Sequence, residues 1–429
     1  MTDRVLLHTV AGAPGSRLAR WLERSSAPYG ELRPLVGPFA QPIVRITGPG
    51  ALLEEAAESL PEGAAGPEAI AVRLRRAGVE LSWGEPDVLP DAAFFVRLSC
   101  ARGASSVELV RVDPSLLTEM QIGSFFHAYW RRRFIRHAAI RLGITRALSR
   151  FPAAFFGLAS DFAFWAGVRS SATSQEWQRF ARSSYVVFYF HRIGRGRAPG
   201  QGLDVQRFER QLRLLRLLGF RSLSPDELFA FHADPGATLS PRSYVLTADD
   251  ALRDAVAELA RHGALAPQVY VNTSAVGGSP AWAFGESVAD WEELEAFEAA
   301  GGIIGSHCRD HPRLPSLDSE RLRDELTGSL REIKARFPNA PPLLAYPHGL
   351  HDERVRAGAK AAGYCAAFTT APGRNGAGID VFCLRRIGPR DWDGHFAFLW
   401  KALTGEWLPR PWGQLSARLR ARSRRAHSR

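Results

Sequence analysis

Lysine is nearly missing from this 429-residue chain. It occurs only at Lys334, Lys360 and Lys401, although Lys and Arg together number 55. The formal charge of +11 therefore rests on arginine. Such a charge suits an anionic lipid, a nucleic acid or an acidic glycan, and equally a chain-wide preference for arginine over lysine. Cysteine is scarce as well. Cys100, Cys308, Cys365 and Cys383 lie far apart with no C-x-x-C pair, which argues against a cysteine-rich zinc module and implies no disulfide framework. The glycines of "GAPGS" near the start lack the spacing of a nucleotide fingerprint. No secretory leader is expected either, because the apolar run of "MTDRVLLHTVAGAPGS" is short and broken by His8; the cytoplasm is the expected compartment. No repeat of fixed period stands out. What is present is 45% hydrophobic and 23% charged residues, an ordinary globular composition in a chain long enough for two or three domains.

Patterning divides the chain into four stretches. Residues 1–115 alternate strand-like runs ("RVLLHTV", "PIVRIT") with helical ones ("SRLARWLER", "GALLEEAAESL"), which predicts a small α/β domain; "FFVRLSC" and "VELVRVD", joined by "ARGAS", read as a hairpin. Residues 116–182 hold a basic, aromatic helical stretch, "SFFHAYWRRRFIRHAAIRLGITRALSRF", followed by the apolar "PAAFFGLASDFAFWAGV". The apolar run approaches the length of a membrane span, but a central charge such as Asp161 costs roughly 2.5–3.5 kcal/mol on insertion. A buried helical connector and an amphipathic surface lying on anionic lipid are the two main readings. Residues 183–404 alternate strands ("SYVVFYFH", "SYVLTADD", "PQVYVNTS", "GGIIGSH", "PLLAYPHG", "CAAFTT", "FCLRRIG") with helices, the pattern of a mostly parallel sheet, open or closed into a barrel. Residues 405–429 end in "SARLRARSRRAHSR", a like-charge run expected to be disordered.

Chemistry-bearing residues gather at three strand ends. "SYVLTADDAL" closes a strand on Asp249 and Asp250, adjacent carboxylates that need a cation or a proton between them unless they cap the following helix. "GSHCRDHP" places His307 and His311 four residues apart, so that both imidazoles can face one point. "LLAYPHG" ends a third strand. The carboxyl ends of strands host the active site in barrels and doubly wound sheets. Two imidazoles and one carboxylate make a metal set with positions left for water and substrate, and the second carboxylate is then free to act as a base.

At these residues the chain resembles the polysaccharide deacetylase family, the NodB-homology domain of carbohydrate esterase family 4, over roughly 183–400. "FYFHRIG" is similar to the family's opening strand, "LTADDAL" to its Thr-Phe-Asp-Asp-Gly motif, and "SHCRDHP" to its His-Ser/Thr-x-x-His motif with Cys308 in place of the hydroxyl residue. "LLAYPHG" is similar to the Phe-Ala-Tyr-Pro-Tyr-Gly motif of one subgroup. The resemblance implies a distorted (β/α) barrel, hydrolysis of an N-acetyl or similar acyl group on a sugar or glycan, and a divalent metal, often zinc, on Asp250, His307 and His311. It implies Asp249 as catalytic base, the Tyr346 backbone amide as oxyanion donor and Pro347 as a wall of the groove. His191, at the end of the first strand, is a candidate substrate contact. Two departures stand out. Ala248 and Ala251 replace the Phe and Gly that flank the aspartates, and the late Leu-x-His motif that supplies the general acid is not evident, which leaves His348 and His395 as candidates. The expected role is in glycan or cell-envelope precursor biosynthesis, with an anionic membrane surface as a second partner and no nucleic acid. The alternative is an inactive glycan-binding or scaffolding protein on a deacetylase-like fold.

Overall fold

The computed structural model describes residues 92–143, 156–194, 202–283 and 285–409, and these fall into two compact units. The α/β pattern expected before residue 92 and the tail beyond 409 lie outside the described residues.

The first unit takes in the described residues up to Ser183, with Gly376–Gly378. Its helices are α1 (Ala92–Val112), α2 (Trp130–Arg141), α3 (Phe156–Ser171) and α4 (Ser174–Ala181). The hairpin expected over "FFVRLSC" and "VELVRVD" is corrected: the first run and the second as far as Val112 belong to the single helix α1. Gly103, in the middle of the supposed turn, marks close helix packing. A Cβ on it would lie 2.0 Å from the Phe164 carbonyl oxygen, and one on Gly167 would lie 1.9 Å from that of Cys100. Ser99 and Ser160 hydrogen-bond across the same contact at 2.8 Å. Small residues let the two backbones touch, and that tertiary contact overrides the local alternation.

Asp161 does not face lipid. It is buried, accepts hydrogen bonds from Arg136 Nε and Nη2 at 2.8 and 2.7 Å, and accepts another from Arg132 Nε at 3.1 Å. Ala159, Phe162, Ala163, Phe164, Trp165 and Val168 of α3 are buried around it. No helix among the described residues is long and apolar enough to cross a membrane.

The second unit comprises Ser184–Asn375 and the described residues from Ile379 onward. Its strands are β1 (Ser184–Phe190), β2 (Arg221–Ser222), β3 (Ser243–Ala248), β4 (Gln268–Val271), β5 (Ile303–Ser306), β6 (Leu343–Ala345) and β7 (Ala366–Phe368), with β8 (Asn375–Gly376) at its boundary. Between them run α5 (Val205–Leu217), α6 (Pro225–Ala233), α7 (Arg253–Ala260), α8 (Trp291–Ala299), α9 (Ser319–Arg336) and α10 (Glu353–Ala361), and α11 (His395–Thr404) follows. Side-chain caps start most of these helices, including Asp204, Ser224, Asp290, Asp318 and Asp352.

The sheet order is β7-β6-β5-β4-β3-β1-β8, with β2 beside β3. The pairs from β1 through β7 are parallel. Residues 384–387, expected as a strand in "FCLRRIG", make two isolated bridges instead, Leu384 to Phe368 of β7 and Ile387 to Phe188 of β1. This segment spans the gap between the sheet's two ends and curls it into the distorted (β/α) barrel that the resemblance implies. Both faces of the sheet are covered, so β1 and β3 read as near-continuous apolar runs. Val186, Phe188 and Phe190 join Phe208 and Leu212 of α5 in the outer core. Tyr189, one residue out of phase, faces the inward guanidinium of Arg386 at 5.0 Å.

Candidate active site

Sharp turns follow β3, β5 and β6, and each delivers part of one cluster. Among the described residues, six non-glycine positions have positive φ, and five of them, Asp250, Ala251, Cys308, His311 and His348, lie at these strand ends. A left-handed backbone costs an L-residue on the order of 1–3 kcal/mol and persists only where the surroundings enforce it. Here they do. Ser306 Oγ accepts the Cys308 N–H at 3.0 Å. One oxygen of Glu325 in α9 accepts the N–H groups of Arg309 and Asp310 at 2.8 and 3.2 Å. Asn272 Nδ2 donates to the His307 carbonyl at 2.6 Å. Ala251, which stands where the resembled motif has glycine, takes φ 47°, so the turn is kept at the cost of strain.

His307 is buried, and its Nδ1 lies 2.6 Å from the Ala345 carbonyl oxygen, to which it donates. Its Nε2 therefore carries the lone pair and points to Asp250 Oδ1 at 3.7 Å; His311 Nε2 faces the same oxygen at 3.6 Å. That oxygen is buried without a hydrogen-bond partner. Burial, with the charges of His307 and His348 adding, pushes His311 down to about 3, so it is a neutral imidazole at pH 7. Tetrahedral zinc bonds of about 2.0–2.2 Å would set ligand atoms about 3.3–3.6 Å apart, close to the spacing found. The donor types, the orphaned oxygen and the carbonyl-anchored imidazole all fit a divalent cation.

Asp249 faces the other way. Arg386 donates to both of its oxygens, at 2.7 and 2.8 Å, and both side chains are buried. Burial alone would raise the Asp249 carboxyl; the Arg386 charge, with a further contribution from His307, outweighs it and holds the group at about 2. Neither aspartate caps α7, whose N-cap is Leu252 without a side-chain bond. Arg386 also donates to the Thr369 carbonyl at 2.8 Å and lies 6.0 Å from the rings of Tyr270 and Phe368.

The remaining candidates divide. The His348 ring packs edge-on to His311 at 4.4 Å, and burial, then Arg313 and His307, lowers its pKa. His191 is exposed at the end of β1, and its charge reaches both Asp249 and His311. Pro347 is buried behind the turn. The Tyr346 assignment needs correction. Its N–H donates to the Phe368 carbonyl at 3.0 Å, continuing the β6–β7 ladder, and is not free for an oxyanion. The N–H of His348, two residues on, has no hydrogen-bond partner among the described residues. His395 is exposed at the first position of α11 and is not among the groups that contact the cluster. Sequence reasoning missed Arg386, Glu325, Asn272 and Trp282, whose half-buried ring stacks on His311 at 5.2 Å.

A family model described as polysaccharide deacetylase matches residues 237–367, the part of the chain that carries Asp249, Asp250, His307, His311 and the Tyr346-Pro347-His348 turn. The match supports sugar deacetylation as the reaction class. Solved structures of similar fold include the Streptococcus pyogenes deacetylase PplD in complex with acetate, 18% identical at TM-score 0.43 over 49% of this chain and 94% of that one. A polysaccharide deacetylase from Bacillus cereus is 18% identical at TM-score 0.45, over 52% of this chain and 70% of its own. IcaB from Ammonifex degensii is 21% identical at TM-score 0.43, over 51% and 96%. No curated protein sequence matches significantly.

Proposed function

We propose that this chain is a metal-dependent hydrolase that removes an N-acetyl or similar acyl group from a sugar, in the cytoplasmic synthesis of a glycan or cell-envelope precursor. One observation carries the reading: the partnerless Asp250 Oδ1 faces the Nε2 atoms of two histidines, with the ionised Asp249 beside it. Asp250, His307 and His311 would hold the cation, zinc being the ion best suited to this nitrogen and oxygen set. When bound, such an ion acidifies water and polarises a carbonyl.

The chain's own groups supply the rest. Asp249 accepts the proton of the attacking water, and Arg386 is its positioning residue, fixing both oxygens by a forked pair of bonds. The free N–H of His348 offers a donor to the developing oxyanion, and its imidazole, with its lowered pKa, is a ready proton donor once protonated, toward the leaving amine. Trp282 and Pro347 wall the site, and His191 contacts substrate at its rim. A second reading, an inactive glycan-binding protein, draws on the same ion pair, because a carboxyl held at about 2 is a weak resting base. Acetate release from N-acetylated glucosamine oligomers and from a lipid- or nucleotide-linked N-acetylhexosamine separates the two. Release that is lost in His311→Ala supports the hydrolase; saturable glycan binding without release supports the alternative.

We also propose that α2 meets anionic lipid. Arg131, Phe134, Ile135, Arg141 and Leu142 share its outer face and are exposed, Phe134 at 67% and Leu142 at 70%. An arginine near such a surface contributes about 1 kcal/mol, screened by salt. Co-sedimentation of the full chain with anionic vesicles should fall in an Arg131→Glu/Arg141→Glu variant; unchanged pelleting would remove α2 from the account.

A further inference from the structure

Away from the strand ends, a second group of ligand-type side chains meets between two helices. Glu209 comes from α5, while Glu258 of α7 and His262, just past its end, are four residues apart. His262 Nε2 lies 3.3 Å from Glu209 Oε1 and 3.6 Å from Glu258 Oε1. The Glu258 side chain is only 7% exposed and that of His262 13%. Glu258 Oε1 and His262 Nε2 are both buried without a hydrogen-bond partner. A buried carboxylate oxygen is not left unpaired without cost; it calls for a charge or a donor to meet it. The other oxygen, Oε2, faces Arg261 Nη1 at 3.3 Å, which turns Oε1 inward. The Phe208 ring packs edge-on against the His262 imidazole at 5.5 Å.

We infer that Glu209, Glu258 and His262 form a second divalent-cation site that clasps α5 to α7. The signature is the one found at the strand ends: an orphaned carboxylate oxygen facing an imidazole nitrogen at 3.6 Å, with all ligand atoms within 4.8 Å of one another. Two carboxylates and one imidazole suit zinc or manganese, with remaining positions left to water. The backbone is unstrained here, since His262 has φ −117°. The site binds and braces.

The test uses the full chain, stripped with a chelator and titrated with zinc alone, with bound metal counted after dialysis. Wild type should hold about two equivalents, one for each cluster. Glu258→Gln and His262→Gln should each lose about one of them, and His307→Ala should lose the other. Glu209→Gln alters a side chain that is 39% exposed, so the fold should survive it, and it should weaken the second equivalent by about tenfold or more. Zinc should still raise the melting temperature of His307→Ala, and should no longer do so in His307→Ala/Glu258→Gln. Wild-type stoichiometry in Glu258→Gln, His262→Gln and Glu209→Gln would overturn the site, as would a His307→Ala chain that binds no zinc. Retention of metal by His307→Ala with its loss in Glu258→Gln bears on this inference alone; activity without a second equivalent would leave the deacetylase reading standing and this one refuted.

Discussion

Among the described residues, two histidine–carboxylate clusters lie in one unit, and their backbones differ. Asp250, His307 and His311 hang on turns after strands, with positive φ at Asp250 and His311. Glu209, Glu258 and His262 sit on or next to regular helices. Around the first, Ser306, Asn272 and Glu325 hold the turn in place; around the second, an aromatic edge and one arginine suffice. Strain maintained by surrounding bonds marks placement to a tolerance finer than cohesion needs. Helical i, i+4 geometry brings Glu258 and His262 together without backbone strain. On the readings proposed above, the difference separates a site that would handle substrate from one that would fasten helices.

The largest effect should come from Arg386→Leu, which strands Asp249 as a buried, unpaired charge. Stability in urea should fall by about 3–5 kcal/mol, whereas Glu258→Gln should cost less than about 2 kcal/mol. The same pair fixes an acid dependence. The folded Asp249 carboxyl, at about 2, lies below its unfolded value of about 3.9, so its contribution is complete above about pH 4 and is lost as pH falls toward 2. In Arg386→Leu that part of the acid transition should shrink; an unchanged profile would show that the pair contributes nothing.

Glu325→Gln should come next. It weakens the hold on Arg309 and Asp310, and metal affinity at the strand-end cluster should drop about 10–100-fold while the helix-borne equivalent stays. Equal losses at both would erase the distinction between the clusters. The smallest effect belongs to Ala251→Gly, which removes the Cβ from a left-handed residue. It should raise stability by about 0.5–1 kcal/mol and leave both metal equivalents in place; destabilisation would mean that the turn is not strained.

Much of the first cluster was legible because its residues stand in pairs at the ends of apolar runs. Asp249-Asp250 and His307-x-x-x-His311 need only the alternation of strands and helices to be brought near each other. Arg386 was not legible: it pairs across 137 positions, in a chain where arginine is everywhere, and the one available sign was an arginine inside the apolar run "FCLRRIG". Tyr346 was misassigned because a sequence does not show which amide in a turn is already spent on the ladder. The α1 hairpin failed for a tertiary reason, since Gly103 looks like a turn residue until Phe164 is seen against it. Glu258 and His262 have the same i, i+4 spacing as the strand-end histidines, yet nothing local reveals that Glu209 faces them from another helix.

The central claim, that the strand-end cluster hydrolyses an N-acyl sugar with Asp249 as the base, meets its most direct test in acetate release by the zinc-loaded full chain beside Asp249→Asn. The asparagine keeps one acceptor for Arg386, so a folded, metal-bearing variant is expected, and its turnover should fall by about 10²–10⁴-fold with metal content unchanged. Turnover equal to wild type in that variant, or no release by the loaded wild type from any N-acetylated sugar offered, would contradict the account.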